Sequence, residues 1–445
     1  MIKEMTGLRK VEWAATTITK SIIQSLQSSP HATLDVSITN STGELISQLP
    51  GSTSVVSLSV DITYFEAEEC TKITQPLKQV LLSCPNLRKL SLNIAIPSGG
   101  CLFNEPPPEY VGIGFSAGER PPPLQHLYIS GYPWGKKDHG QDFFRYNCVG
   151  YLEESIEEDY WANTFDWSHL TYLEDASFRL ANKIVRKLTA LEHVVCLGYD
   201  PGSYGEYFFN AVPSALKSIC VPTLNTIGFD SLEQHASSLR KLYLHQGLTR
   251  MDRWREGILS NENLILVCKT FPHLREIGLD LARDGNNRPY TALDILATLS
   301  NIQSLEFWFE LESTSGTLHR PCLTMNSASE LFGYVAKRLS TLRSMYLHSG
   351  SPQRPPPCVA QGPCWGSENA LSLVCQHAER DDDAARGLSY ITCPALSDKL
   401  NHKANRIIRG QEKLKNPLKH GVDFRLALEG PIPLDEWMDL RRGRM

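Results

Sequence analysis

The chain has 445 residues, with 44 Lys and Arg against 49 Asp and Glu, a formal charge of −5 and a pI near 6.2. This balance argues against a general nucleic-acid binder, which usually carries a basic face, while 41% hydrophobic residues suffice for a folded core. No apolar run reaches the roughly 20 residues of a membrane span, the first residues hold no signal-peptide core, and the twelve cysteines lack close pairs. The expectation is a reduced cytoplasmic or nuclear protein with no membrane contact and an unused sequon at Asn40-Ser41-Thr42.

The chain opens on Gly7-Leu8-Arg9-Lys10-Val11-Glu12-Trp13, a frame of one apolar residue, two others, a second apolar residue, one other and a third. No polar capping unit precedes Leu8, although terminal repeats normally need one, so the expectation is a truncated chain or an end covered by a partner. The spacing predicts a helix over Thr17 to Gln27, strands over His31 to Val36 and Ser54 to Val60, and a helix over Ile73 to Ser83. The frame then returns as Leu87, Leu90, Leu92; Leu124, Leu127, Ile129; Leu191, Val194, Cys196; and Leu239, Leu242, Leu244. It continues as Leu274, Ile277, Leu279; Ile302, Leu305, Phe307; and Leu342, Met345, Leu347.

In each frame the last two apolar residues are one residue apart, so a strand would point both to the same side. One such unit cannot bury its apolar face, whereas stacked units share a continuous core. The gaps between frames are uneven, and several exceed the roughly 20–29 residues usual for leucine-rich repeats. The fold this pattern resembles is an α/β leucine-rich-repeat solenoid: right-handed, curved, with a parallel sheet on its concave face and long loop insertions. It would span residues 1–350, with insertions near 97–123 and 132–166. An irregular Pro/Gly and acidic region would follow over 351–395, then a basic helix and C-terminal closing segment over 396–445.

The insertions hold several decoys. Gly114-Phe115-Ser116-Ala117-Gly118 fits the hydrolase elbow, but Glu119-Arg120-Pro121-Pro122-Pro123 cannot open the helix a nucleophile turn needs. Glu153 to Asp159 is an acidic run among Tyr151, Tyr160, Trp161, Phe165 and Trp167; it reads as a solvated flank, or more sharply as an acidic-aromatic docking segment. Leu170 and Leu173 restart the array, which runs on through Leu216 to Val221. Cys358, Cys364, Cys375, His377 and Cys393 lack the paired spacing of a zinc site, and Asp381-Asp382-Asp383 lacks the spaced ligands of a calcium loop, so no metal or other cofactor is expected. Lys399 to Lys419 is a basic helical stretch, solvated or, less simply, a nuclear-import or nucleic-acid patch. Val422 to Leu428 alternates as a strand should and would close the array with Pro431, Pro433 and Trp437.

Cys84-Pro85-Asn86-Leu87-Arg88-Lys89-Leu90-Ser91-Leu92 resembles the cysteine-containing leucine-rich repeats of F-box proteins, and Phe271-Pro272-His273-Leu274-Arg275-Glu276-Ile277-Gly278-Leu279 is similar to the same unit with Phe for Cys. The irregular spacing is similar to that of the F-box-like proteins of filamentous fungi. The resemblance implies a repeat surface that holds a protein substrate, while the F-box that would dock a ubiquitin-ligase adaptor is not seen before Leu8. No catalytic motif is found, so the expected function is a non-enzymatic protein-binding scaffold, with a nuclear or nucleic-acid accessory role through the basic helix as the alternative. The binding site is expected on the concave face beside the inward apolar pairs. Leu239-Arg240-Lys241-Leu242-Tyr243-Leu244-His245 and Leu342-Arg343-Ser344-Met345-Tyr346-Leu347-His348 are nearly the same string. They place Lys241, Tyr243, His245, Tyr346 and His348 outward, with Tyr128, Asp280, Trp308 and Glu310 in equivalent places; stacked tyrosines there could equally serve the sheet alone.

Overall fold

The computed structural model describes residues 7–14, 18, 20–29, 31–39, 45–63, 67–95, 113–116, 118–130, 132, 157–175, 178–196, 204–246, 257–284, 287–311, 318, 320–350, 365–378, 389–414, 416–433 and 436–437. They fall into two compact units, Met1–Leu216 and Lys217–Met445.

In the first unit, seven strands pair in parallel in chain order: β1 (Lys10–Trp13), β2 (Thr33–Thr39), β3 (Val55–Thr63), β4 (Lys89–Ala95), β5 (His126–Ser130), β6 (Tyr172–Asp175) and β7 (His193–Val195). Parallel neighbours need crossover connections, and Ala67–Ser83 supplies a helical one between β3 and β4. The register sets Val36, Leu58, Leu90, Leu127, Leu173 and Val194 side by side, all buried. The next row breaks the pattern: Asp175, buried, stands beside Ile129 where the frame calls for an apolar residue.

Three of the aromatics expected in an exposed docking segment are instead core; Tyr160 is half-buried. Trp161, on the helix Glu157–Thr164, and Phe165 and Trp167 beyond it are buried. Trp161 stacks on Phe165 at 5.0 Å, and Phe115 meets both edge-on at 6.1 and 5.5 Å. Packing of this kind gains more than solvation of the same rings. Phe115 thereby anchors the short stretch 113–116. No strand lies over 113–116 and no helix over 118–120, so the elbow context is absent there. Ala117, residues 96–112 and 133–156, the sequon, Cys358, Cys364 and Asp381 to Asp383 lie outside the described residues.

The second unit repeats the scheme with β8 (Ser218–Val221), β9 (Lys241–Leu244), β10 (Glu276–Leu281), β11 (Ser304–Phe309) and β12 (Ser344–Ser349), all parallel. Helices Asn261–Thr270, Tyr290–Leu296 and Met325–Ala336 bridge successive strands. Their starts are written in sequence: Ser260 caps the first, and Thr324 with Ser327 forms a reciprocal cap on the third. Each helix buries an apolar stripe, for example Leu331, Phe332 and Val335.

Two expectations for the C-terminal part are corrected. The region taken as irregular carries β13 (Leu371–His377), which pairs antiparallel with β12, and β14 (Ser389–Thr392), which pairs antiparallel with β13. The core row Ile219, Leu242, Ile277, Leu305, Met345, Cys375 and Ile391 is fully buried from end to end. Val422–Glu429 is a helix, not a strand, between Gly421 and Gly430, both at positive φ. Its alternation also suits a helical face through Phe424 and Ala427, and only Val422 is β-branched.

The basic stretch is helical over Asp398–Ile408 and closes the free edge of β14. Asn405 accepts from Ile391 N at 3.0 Å and donates to its carbonyl at 2.7 Å, while Asn401 does the same with Cys393 at 2.8 and 3.1 Å. Two side-chain amides thus stand in for the next strand, satisfying edge groups that would otherwise invite pairing. Burial also pushes the Cys268 thiol up to about 11 and raises that of Cys375. Thiolates being the reactive form, iodoacetamide at about pH 8 should leave both unmodified until the protein is unfolded, as read by peptide mass spectrometry. Native-state modification of either would contradict its core position.

Candidate functional site

Residues that alternate with the core pairs point to the opposite side of the sheet. In the second unit they form two rows. One is Cys220, Tyr243, Gly278, Glu306, Tyr346 and Val374; the other is Asp280, Trp308, His348 and Ser372. His245 follows β9 directly and joins the second row against Trp308.

Trp308 is the centre of this face. Its ring lies between two imidazoles, 3.9 Å from His245 at an interplanar angle of 12° and 5.2 Å from His348 at 17°. Tyr243 meets it edge-on at 6.3 Å. Gly278 makes room for Tyr243: a Cβ at that position would stand 2.5 Å from Tyr243 Cδ1, so the tyrosine ring lies over bare backbone. Lys241 Nζ sits 4.4 Å from the centroid of Tyr243 and 3.1 Å from Glu276.

Hydrogen bonds fix these rings. His348 Nε2 lies 3.0 Å from Glu306 Oε1, and Nδ1 lies 2.9 Å from Ser372 Oγ. A carboxylate only accepts, so Nε2 carries a proton and donates to Glu306. Tyr243 also hydrogen bonds Glu306; burial first, and then the Glu306 charge, push its phenol well above the usual tyrosine range.

Asp280 departs from expectation. It occupies the outward row yet is only 1% exposed. His245 Nδ1 approaches its Oδ1 at 2.6 Å, and Gln246 N donates to Oδ2 at 2.8 Å. Gly257 closes the lid: a Cβ there would stand 3.3 Å from Asp280 Oδ2. Burial raises the Asp280 carboxyl, and the His245 and Gln246 contacts oppose that rise. Asp280 is therefore a post that holds His245 under Trp308, not a contact for a partner.

The other expected residues are half-buried. Tyr346 sits between Glu306 and Val374 in the ladder, and Glu310 follows β11, its carbonyl accepting from Arg283 at 2.8 Å. Tyr128 is in the first unit, between Ser91 and Glu174. That unit has its own aromatic row, which the motif comparison missed: His126 stacks on Tyr172 at 5.6 Å, and Tyr172 meets His193 at 6.3 Å. Burial, then Lys89 and His193, hold the His126 imidazole below its ordinary value. Glu306 was also missed, although it holds the same frame position as Tyr243 and Tyr346. Ser372 carried no signal, because its strand has no frame.

Among the described residues no group of three His, Cys, Asp or Glu could hold a metal ion. No helix among them is long and apolar enough to cross a membrane. Cys375 and Cys393 are buried, and His377 Nε2 lies 3.1 Å from the Leu342 carbonyl.

No protein-family model matches the chain, and no curated protein matches it. Among solved structures, the chain is similar to the leucine-rich-repeat-containing protein LegL7 from Legionella pneumophila. The two are 14% identical, with 78% of this chain and 95% of that chain covered and a TM-score of 0.36. The fold itself, parallel strands from a repeated leucine frame joined by helical and irregular crossovers, is an α/β solenoid of the leucine-rich-repeat kind.

Proposed function

We propose that the protein is a protein-interaction scaffold whose partner seats on the polar sheet face of the second unit. One observation carries this reading: His245, Trp308 and His348 form a single stack on a half-exposed face. Rings already held in place lose little entropy on binding, and rigid aromatics are where interfaces concentrate their energy. Tyr243→Ala combined with Trp308→Ala is expected to leave the circular dichroism unchanged. The same variant should weaken a partner isolated by pull-down about tenfold or more in calorimetric titration. Undiminished affinity would move the site elsewhere.

Ser372, His348 and Glu306 are linked by hydrogen bonds in the order of a hydrolase triad. They lie on β11, β12 and β13, strands paired on both sides, whose amides are committed to the ladder rather than free to hold an oxyanion. A structural network is the better reading. The nucleic-acid alternative loses support from the basic helix, where Lys403 and Arg406 both pair with Glu412 at 3.6 Å and Arg409 donates to the Ser389 carbonyl. The finer reading, a substrate-receptor module of an F-box-type ubiquitin ligase, is supported only by the repeats at Cys84 to Leu92 and Phe271 to Leu279 and their irregular spacing. Co-purification with a cullin adaptor would favour it, and failure of the purified full-length protein to bind that adaptor would remove it.

A further inference from the structure

We infer that the guest on this face presents a basic side chain, lysine or arginine, whose charged head sits beside Glu306. This rests on the reading above and adds the chemistry of the guest. Glu306 stands in the middle of the face with its side chain only 21% exposed. Its carboxylate is held by the Tyr243 phenol and His348 Nε2, and no lysine or arginine among the described residues pairs with it. Glu276 differs, with Lys241 at 3.1 Å, whereas Asp280, like Glu306, has only an imidazole, His245 at 2.6 Å. A largely desolvated carboxylate with only an imidazole and a phenol as partners is costly, and an incoming ammonium or guanidinium offsets that cost.

The surroundings fit the same guest. Tyr346 is the ladder neighbour of Glu306, and Trp308 is two residues along the same strand face. Aromatic residues thus stand beside Glu306 on the next strand and two places along its own, as suits a lysine stem or a planar guanidinium. An acidic group would meet like charge at Glu306, and a purely apolar one would bury that charge uncompensated.

The test uses random dodecapeptides displayed on phage and selected on the full-length protein. Selected peptides are expected to share a lysine or arginine and to lose about tenfold or more in affinity on Glu306→Gln. The amide of that variant still accepts a hydrogen bond, and its circular dichroism should match wild type. Peptides lacking a basic residue, or keeping their affinity on Glu306→Gln, overturn the inference. If such peptides are still lost on the Tyr243→Ala, Trp308→Ala variant, the face stands and only the guest chemistry falls. If they are indifferent to both variants, both readings fall. A selection that enriches no sequence also overturns the inference.

Discussion

Leu242→Ala is expected to destabilise the second unit by about 2–5 kcal/mol, the range for truncating a buried leucine. Leu242 is fully buried on β9, with Ile219 and Ile277 on either side in the core row. The loss combines the transfer energy of three carbons with the cavity they leave, and a rigid ladder can close that cavity only in part. Because each repeat leans chiefly on its neighbours, the chemical denaturation curve should broaden or split rather than shift as a whole. Lys241→Ala, one residue away on the outer face, should stay within about 0.5 kcal/mol of wild type. Indistinguishable curves for wild type and Leu242→Ala would show that Leu242 is not core.

Asn405→Leu should be comparably severe for a different reason. The substitution keeps the volume but removes the acceptor for Ile391 N and the donors to the Ile391 and Asn401 carbonyls. Asn405 is 2% exposed, so water does not readily replace it. Stranding a buried polar backbone group costs about 1–3 kcal/mol each, which for the Ile391 amide and carbonyl sums to about 2–6 kcal/mol. Once its cover is loosened, the edge of β14 becomes a template for a second chain. The variant is therefore expected to unfold earlier in denaturant and to self-associate in sedimentation velocity. A monomer as stable as wild type would show that the asparagine side chains do not close the sheet.

The strands and the core were legible in the sequence because the signal is local. A frame such as Leu239, Leu242, Leu244 sets strand, facing and neighbour contacts within six residues, and repetition makes it unmistakable. The outward placement of Tyr243, Trp308, Tyr346 and His348 followed from the same alternation. What stayed hidden depends on contacts between distant residues. Asp280 reads as outward from its own strand, and contacts with His245, Gln246 and Gly257, far along the chain, bury it. The strands at Leu371–His377 and Ser389–Thr392 carry no leucine frame and run antiparallel. The segment Val422 to Leu428 fits period 2 and a helical face equally well, so its type was decided by packing of Phe424 and Ala427. Trp161 and Phe165 looked exposed beside an acidic run, until Phe115, from a separate insertion, completed their cluster.

In the proposed function, the polar sheet face rather than the helical side receives the partner. A photo-crosslinking amino acid placed at Tyr346, on that face, and separately at Ile265, 40% exposed on the helix Asn261–Thr270, tests it most directly. A crosslinked partner is expected from position 346, abolished by Tyr243→Ala with Trp308→Ala, and none from position 265. Crosslinking from 265 alone, or from 346 without regard to those two aromatics, would contradict it.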